Sequence, residues 1–280
     1  MLRVAIPNKG ILSDSAISML REAGYATRRE PSELHLVDEA NNVEFFYLRP
    51  RDIATYVGSG SLDVGITGLD LLLDSGSKAE EVADLGFGAS TFRFAAEQGS
   101  AFKDPKDLNG KRLATAYPRL IGDYLTKSGI ECQVVSLDGA VESAVRLGVA
   151  DAVADVVSTG NTLRKAGLSV FGPEILSSTA RLISAPGKAV DSAKLLRRLK
   201  GVLVAREYVI MDYDCPRSLV EKASAITPGI ESPTISPLAD ENWVAIRALV
   251  KAAETNEIMD DLHDIGARAI LVSAIHAARI

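Results

Sequence analysis

The chain has 280 residues, a formal net charge of −6, 47% hydrophobic residues and only 5% aromatic residues. These values are typical of a globular protein with one large domain or two to three modest ones. The acidic charge and the few aromatic side chains argue against nucleic acid or an anionic membrane as a partner. We see no apolar run of membrane-spanning length and no signal peptide, and Cys132 and Cys215 are the only cysteines. We therefore expect a cytoplasmic protein without a disulfide framework.

The first ninety residues alternate between short apolar strands and helices, which is typical of an α/β lobe. A helix capped by Ser13 or Asp14 is expected to end near Ala23. The other expected elements are strands at residues 2–6, 62–67, 82–85 and 91–96, a hairpin over 34–48, and a helix over 50–57.

A polar stretch at residues 97–112 indicates a crossing into a second α/β lobe. Strands and helices alternate again from residue 112 onward, which predicts a largely parallel sheet. A strand near residues 179–184 is expected to return the chain to the first lobe. We therefore predict lobe I from residues 1–92 and 179–205, and lobe II from residues 93–178.

The last part of the chain has its own pattern of apolar runs and helical segments. We expect strands within residues 202–212, 234–238, 243–250 and 269–275, and helices over 217–225 and 256–265. This order is that of a ferredoxin-like βαββαβ unit. Residues 206–280 are therefore predicted to form a separate domain.

Residues 151–166 read DAVADVVSTGNTLRKA and combine two aspartates with a hydroxyl-rich turn. Asp151 and Asp155 lie on the same face if this run is a strand. Two readings remain open: Asp151 begins the strand in water while Asp155 ends it, or both carboxylates bind ligand hydroxyls at the carboxyl end. The STGNT turn at 158–162 offers free N–H groups and three hydroxyls to an anion, whereas helix capping alone explains one hydroxyl. This pattern favours a phosphomonoester site.

Several separated motifs, together spanning nearly the whole chain, resemble those of the ATP phosphoribosyltransferase family in its long form. The motifs are IPNKG at 6–10, FFYLRPRDIATYV at 45–57, LDVGITGLDLL at 62–72, ATAYP at 114–118, DGAVESAVRLGVADAVADVVSTGNTL at 138–163 and ESPTISPLADENWVAIRALV at 231–250. The resemblance implies a two-lobed catalytic unit shaped like a periplasmic binding protein, followed by a histidine-sensing, ACT-like domain.

The family reaction joins the 5-phosphoribosyl group of PRPP to N1 of ATP, releases pyrophosphate, and requires Mg²⁺. The resemblance implies that the donor's ribose hydroxyls bind Asp151 and Asp155. It assigns the 5-phosphate to a loop made of Val156, Val157, Ser158, Thr159, Gly160, Asn161 and Thr162. Glu142 matches a family position near the donor, although a solvated glutamate at a helix start is an equally good reading. Mg²⁺ is expected to be held mainly by substrate phosphates.

The nucleotide is assigned by the same resemblance to Lys9, Gly10, Arg49, Arg51, Asp70 and Tyr117. The implied catalytic set is Lys9, Arg49, Glu142, Asp151 and Asp155. Without the resemblance, a turn lysine, solvated arginines and a core tyrosine would be ordinary alternatives. The sequence identifies no general base.

The tail domain carries five positions that match the family's site for the inhibitor L-histidine. They are Asp214, Ile230, Thr234, Leu249 and Ala269. A hexamer in equilibrium with a dimer, and AMP as a further effector, are also implied. The alternative hypothesis is a non-catalytic, two-lobed protein that binds a small ligand.

Overall fold

The computed structural model describes residues 1–28, 30, 32–157 and 160–279, apart from the side chains of residues 190 and 191. Within these residues the chain divides into two compact units. The first contains Met1–Arg21 and Tyr25–Leu196, and the second contains Glu22–Gly24 and the chain from Arg197 onward. No helix of the described chain is both long enough and apolar enough to cross a bilayer.

The first unit is built from short strands and helices that alternate along the chain. Its strands are β1 (Leu2–Pro7), β2 (His35–Asp38), β3 (Val43–Leu48), β4 (Val64–Gly68), β5 (Glu80–Asp84), β6 (Ser90–Glu97), β7 (Arg112–Thr115), β8 (Gln133–Ser136), β9 (Ala152–Val157), β10 (Leu168–Ser178) and β11 (Ala180–Ser184). Its helices are α1 (Gly10–Glu22), α2 (Pro50–Gly58), α3 (Leu69–Ser75), α4 (Pro118–Ser128), α5 (Ser143–Arg146) and α6 (Asn161–Lys165).

These strands form two sheets, one for each predicted lobe. The sheet of lobe I has the order β2-β3-β1-β4-β11-β5, and that of lobe II has the order β10-β6-β9-β7-β8. In lobe I, β1 is parallel to β3 and β4. In lobe II, β7 is parallel to β8 and β9. Both sheets therefore present a set of parallel carboxyl ends at one edge.

The prediction of a largely parallel sheet is wrong, because each sheet is mixed. β11 runs antiparallel to β4 and β5, and β6 runs antiparallel to β9 and β10. The chain enters lobe II through β6 and returns to lobe I through β11, while β2 is also reversed, as part of its hairpin with β3. Sequence analysis also missed β10, an edge strand whose register shifts between Phe171 and Leu176.

Two predicted element boundaries are also corrected. α1 begins at Gly10, before the expected caps, and the Ser13 hydroxyl instead accepts a hydrogen bond of 3.2 Å from Arg28 Nη2. The strand expected over residues 202–212 begins only at Tyr208, because residues 202–207 form the end of helix α7 (Ala193–Glu207). The burial of Leu195, Leu199 and Val202 follows helical spacing rather than strand alternation.

The second unit contains a four-stranded antiparallel sheet with the order β13-β14-β12-β15. The strands are β12 (Tyr208–Pro216), β13 (Thr234–Pro237), β14 (Trp243–Lys251) and β15 (Arg268–Ala274), and the helices between them are α8 (Val220–Ile226) and α9 (Thr255–Asp264). Met211, Tyr213, Ile246 and Leu262 lie in its buried core. The order of elements and strands is the ferredoxin-like one expected from the sequence.

Asp63, immediately before β4, fixes the edge of lobe I that lies opposite the parallel carboxyl ends. Its carboxylate accepts hydrogen bonds from Arg3 N at 2.9 Å and from Lys188 Nζ at 2.8 Å. Burial by itself would raise the pKa of Asp63, but the hydrogen bonds and charges of Lys188 and Arg3 outweigh it and lower that pKa. The folded state therefore favours the ionised carboxylate.

We expect Asp63→Asn to lower the free energy of unfolding by about 1–3 kcal/mol at pH 7. Because the folded pKa is depressed, the stabilisation is present above the unfolded pKa and is lost as pH falls through the folded value. Urea unfolding of both proteins at pH 7 and at pH 3 measures this. The two unfolding midpoints should differ at pH 7 and approach each other at pH 3; equal midpoints at pH 7 would contradict the assignment.

Candidate active site

Three turns follow the parallel strands of lobe I and lie at the same edge of the sheet. Pro7, at the end of β1, pairs with Leu48 at the end of β3. Asn8 N donates to Leu48 O at 2.8 Å, which joins the turn that carries Lys9 to the turn that carries Arg49. Lys9 and the adjacent Gly10 are exposed. The edge thus brings two candidate phosphate-binding cations close together in space.

The turn at residues 7–10 packs against the side chain of Arg28, which is only 9% exposed. Arg28 Nη2 donates to Asn8 O at 2.7 Å, and the guanidinium lies 4.5 Å from the centre of the Tyr47 ring. A buried arginine fixes this backbone carbonyl in one position. The exposed Lys9 therefore projects from a rigid turn.

The turn at residues 49–51 is held by hydrogen bonds to the neighbouring elements. Buried Thr67 donates from Oγ1 to Pro50 O at 2.9 Å. Arg51 Nη1 donates to Asp74 Oδ2 at 3.0 Å, and its guanidinium lies 4.9 Å from the centre of the Tyr117 ring. Arg51 of lobe I is thus in direct contact with lobe II.

Asp70 is buried at the start of α3 and is bound by a residue distant in sequence. The Ser178 hydroxyl donates to Asp70 Oδ1 at 2.7 Å and lies 3.1 Å from Asp70 N, which donates to it. A Cβ at position 68 would lie only 2.3 Å from Asp70 Oδ1, so the close approach of this carboxylate requires Gly68. The glycine of the TGLD motif therefore serves the placement of the acid.

The turns after the parallel strands of lobe II carry the other candidates. Tyr117 follows β7, and its ring meets Phe92 edge-on at 5.0 Å. Glu142 lies at the start of α5, after β8. Asp155 lies near the carboxyl end of the central strand β9. The structure therefore brings five candidates close enough together for charges among them to influence Tyr117 and Asp155. They are Arg51, Asp70, Tyr117, Glu142 and Asp155.

The carboxylate of Asp155 has a raised pKa. Burial raises its pKa above the ordinary value; a 2.7 Å hydrogen bond from Val156 N to Oδ1 opposes this, while the negative charges of Glu142 and Asp70 raise it further. Arg51 lowers the pKa as the smallest of the five effects. Among the described residues, none forms an ion pair with Asp155. The site therefore holds a partly buried acid that a polar or cationic ligand would satisfy.

The Tyr117 phenol lies in the same environment. Its pKa is raised, first by burial and then by the charge of Asp70 and a hydrogen bond to that carboxylate. The phenol therefore remains protonated at physiological pH. It presents a neutral aromatic ring beside the Arg51 guanidinium.

The predicted phosphate loop is described from Val156 to Val157 and from Gly160 onward. Ser158 and Thr159 lie outside the described residues. Gly160 has φ +69°, a left-handed conformation that favours glycine, and Thr162 lies in α6, which has five residues. The Asn161 side chain accepts a hydrogen bond of 2.6 Å from Arg164 Nη2. Because α6 is so short, its dipole contributes less to anion binding than the backbone N–H groups of the turn.

The structure does not bring Asp151 to this site, which corrects its assignment to the ribose hydroxyls. Asp151 precedes β9 and lies about 13 Å from Asp155, because four residues of a strand span that distance. Its carboxylate accepts hydrogen bonds of 2.8 Å from both Arg112 N and Arg112 Nη2. These hydrogen bonds and the Arg112 charge lower the pKa of Asp151. The first of the two readings, a strand start in partial contact with water, describes Asp151.

Sequence analysis missed two residues of the site, Ser178 and Asp74. Ser178 lies 108 positions from Asp70 in the chain, at the end of the unpredicted strand β10, and no local pattern indicates their contact. Asp74 could have been found, since it follows Asp70 by four residues on α3 and therefore shares its helix face.

The described residues contain no group of three or more His, Cys, Asp or Glu side chains arranged to hold a metal ion. Asp70, Glu142 and Asp155 influence one another electrostatically without forming such a group. A metal ion that keeps most of its ligands from substrate phosphates and water fits this arrangement better than an ion bound in a protein cage.

The five candidate effector positions of the tail domain fall into two groups. Ile230, Thr234 and Leu249 line a cavity of about 460 Å³. Asp214 pairs with Arg268 across a register shift between β12 and β15, next to Ala269, which has φ +49°. Leu249 pairs with Ile210, so the two groups are separated by four residues of β12, about 13 Å.

The first unit is thus a two-lobed α/β protein that gathers cations, buried acids and a glycine turn at two facing sets of strand ends. A model of the ATP phosphoribosyltransferase family matches residues 49–202, and a model described as the HisG C-terminal domain matches residues 205–277. The chain belongs to the ATP phosphoribosyltransferase family, in its long form with the C-terminal domain.

Similar proteins of known name support this membership over the full length. ATP phosphoribosyltransferases of Pseudarthrobacter chlorophenolicus and Streptomyces avermitilis are 62% and 59% identical, each with 100% of both chains covered. The ATP phosphoribosyl transferase of the HisG:HisZ complex from Thermotoga maritima has a TM-score of 0.62 and 28% identity, covering 72% of this chain and 98% of that one. The chain is therefore a transferase of the first step of histidine biosynthesis.

A more distant solved structure shares only the fold. The L-arginine-bound protein Tv2483 has a TM-score of 0.51 at 10% identity, covering 71% of this chain and 83% of that one. The fold class expected from the sequence, a two-lobed unit like a periplasmic binding protein plus a βαββαβ domain, is confirmed. The alternative of a non-catalytic binding protein is not supported by the named relatives.

Asp151→Asn separates the two aspartates of the motif. We expect it to leave kcat and the KM for PRPP within about twofold of the wild type. We also expect it to lower the free energy of unfolding by about 0.5–1 kcal/mol, since the lost pair is partly in water. Steady-state kinetics and urea unfolding of the same preparation measure both. A loss of activity without loss of stability would return Asp151 to the substrate site.

Proposed function

We propose that the facing strand ends of the two lobes catalyse transfer of the 5-phosphoribosyl group of PRPP to N1 of ATP, with release of pyrophosphate. The observation that carries this proposal is the partly buried carboxylate of Asp155 at the end of β9, which feels the charges of Glu142 and Asp70 and has no ion-pair partner among the described residues. Such a group is suited to a ribose ring, which offers hydroxyl donors and develops positive charge.

The phosphoribosyl donor would bind along the end of β9. Asp155 would accept hydrogen bonds from the ribose hydroxyls, and Glu142 would face the same sugar. The N–H groups of the turn from Val157 through Gly160 to Thr162 would hold the 5-phosphate. The left-handed conformation of Gly160 supports this, because that conformation is typical of the backbone nests that bind anions.

The nucleotide would bind mainly to the turns of lobe I. Lys9, Arg49 and Arg51 carry the positive charge available for triphosphate and pyrophosphate oxygens, and arginine can bind them with two parallel hydrogen bonds. The neutral Tyr117 ring would stack on adenine. Asp70 and its Ser178 partner would limit the space and polarity next to that ring.

In the proposed reaction, the neutral N1 of adenine attacks C1 of the ribose while the bond from C1 to the pyrophosphate oxygen breaks. The bonding electrons leave with pyrophosphate, where Lys9 and the arginines would stabilise the negative charge. The Asp155 and Glu142 carboxylates would stabilise the cationic ribose. Orientation of two substrates between two lobes supplies a further part of the rate, and the step requires no general base.

The family uses a metal ion in catalysis. We propose Mg²⁺, which when bound neutralises charge on the pyrophosphate group. It would be held by the substrate phosphates and water, with Asp155 or Glu142 as the nearest carboxylates. Mg²⁺ commonly takes one or two carboxylates together with phosphates, which suits a chain with so few clustered ligands. We also propose a cytoplasmic location.

Asp155→Asn tests the core of this proposal. We expect kcat/KM for PRPP to fall at least about 100-fold, because a charge that stabilises the transition state is removed. The folded protein should be as stable as the wild type or more stable, since a raised pKa means that burial disfavours the carboxylate. Pyrophosphate release and thermal unfolding measure the two effects.

Asp151→Asn, directly before the same strand, is the matched control. In contrast to Asp155→Asn, we expect Asp151→Asn to retain activity and to lose stability. Wild-type turnover in the Asp155→Asn protein would exclude Asp155 from the reaction. In the wild type, kcat/KM for PRPP should fall at acid pH with an apparent pKa above the ordinary aspartate value of about 3.9.

The tail domain is proposed to bind L-histidine as a feedback inhibitor. The cavity lined by Ile230, Thr234 and Leu249 offers apolar walls and a hydroxyl, while Asp214 offers a carboxylate for an amino group. Ala269 lies at a bulge in β15, and bulges leave backbone groups unpaired. AMP is retained as a proposed second effector.

The separation of the two groups along β12 supports a site shared by two copies of the chain, since free histidine is too short to contact both ends of one sheet. Exposed Ile235 and Leu271, on the edge strands β13 and β15, provide apolar surface for such contacts. We propose the hexamer in equilibrium with a dimer as the assembly that forms this site.

Thr234→Ala is expected to raise the histidine concentration for half inhibition about tenfold, which corresponds to the loss of about one hydrogen bond. Its kcat without histidine should stay at the wild-type value. Ser236→Ala, on the same exposed strand, is the control and should leave inhibition unchanged. Calorimetry that detects no histidine binding to the wild type would exclude the effector role.

A further inference from the structure

The carboxylate of Asp74 connects the two lobes of the first unit. Asp74 lies on α3 of lobe I, and its side chain is 8% exposed. Oδ1 accepts hydrogen bonds from Arg119 N at 3.0 Å and Leu120 N at 3.2 Å, while Oδ2 accepts the bond from Arg51 Nη1 at 3.0 Å. One buried side chain thus contacts the start of a lobe II helix and a candidate nucleotide-binding arginine.

Asp74 supplies the capping that α4 lacks in its own sequence. The residue before α4 is Tyr117, which makes no capping hydrogen bond with its side chain, and Pro118 has no N–H to donate. The first free N–H groups of α4 are those of Arg119 and Leu120, and both donate to Asp74. A carboxylate at this position also has a favourable interaction with the helix dipole. The start of α4, and with it Tyr117, is therefore fixed from the other lobe.

The lobes approach closely around this contact. A Cβ at position 76, just after α3, would lie 2.2 Å from Arg119 Cζ. Gly76 has φ +58°, so both its conformation and its neighbour favour glycine. The joint between α3 and α4 is therefore tightly packed.

Arg51 is oriented by the same carboxylate. Its side chain is 42% exposed, and the guanidinium makes two described contacts, with Asp74 Oδ2 and with the Tyr117 ring. A long side chain at this exposure has many rotamers unless a partner selects one. Asp74 uses one of the five N–H donors of an arginine and so leaves donors for a ligand.

We propose that Asp74 is a positioning residue for the nucleotide: it holds Arg51 and the Tyr117 end of α4 in the geometry in which the two lobes jointly bind ATP. Asp70 and Asp74, four residues apart on α3, position different parts of the proposed nucleotide site. Asp70 sets the environment of the Tyr117 phenol, and Asp74 sets the positions of the arginine and the helix. The inference rests on the proposed nucleotide role of Arg51 and Tyr117.

The test uses the full-length Asp74→Asn protein. Asparagine keeps an oxygen that can cap α4 but removes the charge that pairs with Arg51. We expect KM for ATP to rise about tenfold, with KM for PRPP within twofold and the thermal midpoint close to the wild type. Asp74→Ser, which also keeps a capping oxygen, is the second variant if the first does not fold.

Asp63→Asn is the matched control. Asp63 has a similarly buried side chain, 11% exposed, and also three described partner atoms, but it lies at the opposite edge of lobe I. It should lower stability and leave both KM values unchanged. If Asp74→Asn follows this pattern instead, its role is only structural and the inference is wrong.

A double-mutant cycle with Arg51→Ala separates this inference from the function on which it rests. If Asp74 acts through Arg51, the effect of Asp74→Asn on KM for ATP should largely disappear in the Arg51→Ala background. Persistence of the full effect would overturn the inference while leaving Arg51 in the site. Wild-type kinetics of Arg51→Ala would instead overturn the nucleotide role of Arg51, and the positioning role with it.

Discussion

The carboxylate of Asp155 is held at the end of the central strand of lobe II, where burial and two neighbouring acids oppose its ionisation. In a folded protein such a group costs stability unless something compensates it. Arg51, which belongs to the other lobe, lowers the pKa of Asp155, but its effect is the smallest of the five. In the free protein the charge of Asp155 is therefore poorly compensated. Hydrogen bonds from ribose hydroxyls, together with a metal ion on the substrate phosphates, would compensate it. The geometry of both lobes can be understood from this constraint.

The two sheets can bring groups from both lobes near Asp155 because their parallel strands end at the facing edges. In lobe I the turns after β1 and β3 supply cations, and α3 after β4 supplies two acids on one helix face. In lobe II the turns after β7, β8 and β9 supply an aromatic ring, an acid and a glycine turn. In the proposed site, the acids would lie near the sugar and the cations near the phosphates, which is the charge distribution that transfer of a cationic ribose to a neutral nitrogen requires. The mixed sheets place each chemical group without a long loop.

The sequence predicted the elements that carry strong local signals, and it failed where distant parts of the chain decide the outcome. The turns at residues 7–10 and 49–51 and the ferredoxin-like tail were visible because strand runs and turn residues are local. The strands β6 and β11 were also predicted, at residues 91–96 and 179–184, but their antiparallel direction was not, since a strand's direction depends on which lobe the chain enters next. Only the end of α7, from residue 202 to residue 207, was mistaken for a strand, because its apolar residues are dense enough there to hide their helical spacing. Ser178 reached Asp70 through tertiary structure alone.

The two aspartates of DAVAD show most clearly what spacing can and cannot decide. Alternation in a strand correctly places Asp151 and Asp155 on one face, but it does not say that they share an end. The strand is long enough to separate them, so one meets a surface arginine and the other meets the buried acids. Their pKa values accordingly shift in opposite directions, down for Asp151 and up for Asp155. Folding therefore stabilises the ionised carboxylate of Asp151 and destabilises that of Asp155, four positions later. The destabilised carboxylate is the one suited to bind a ligand.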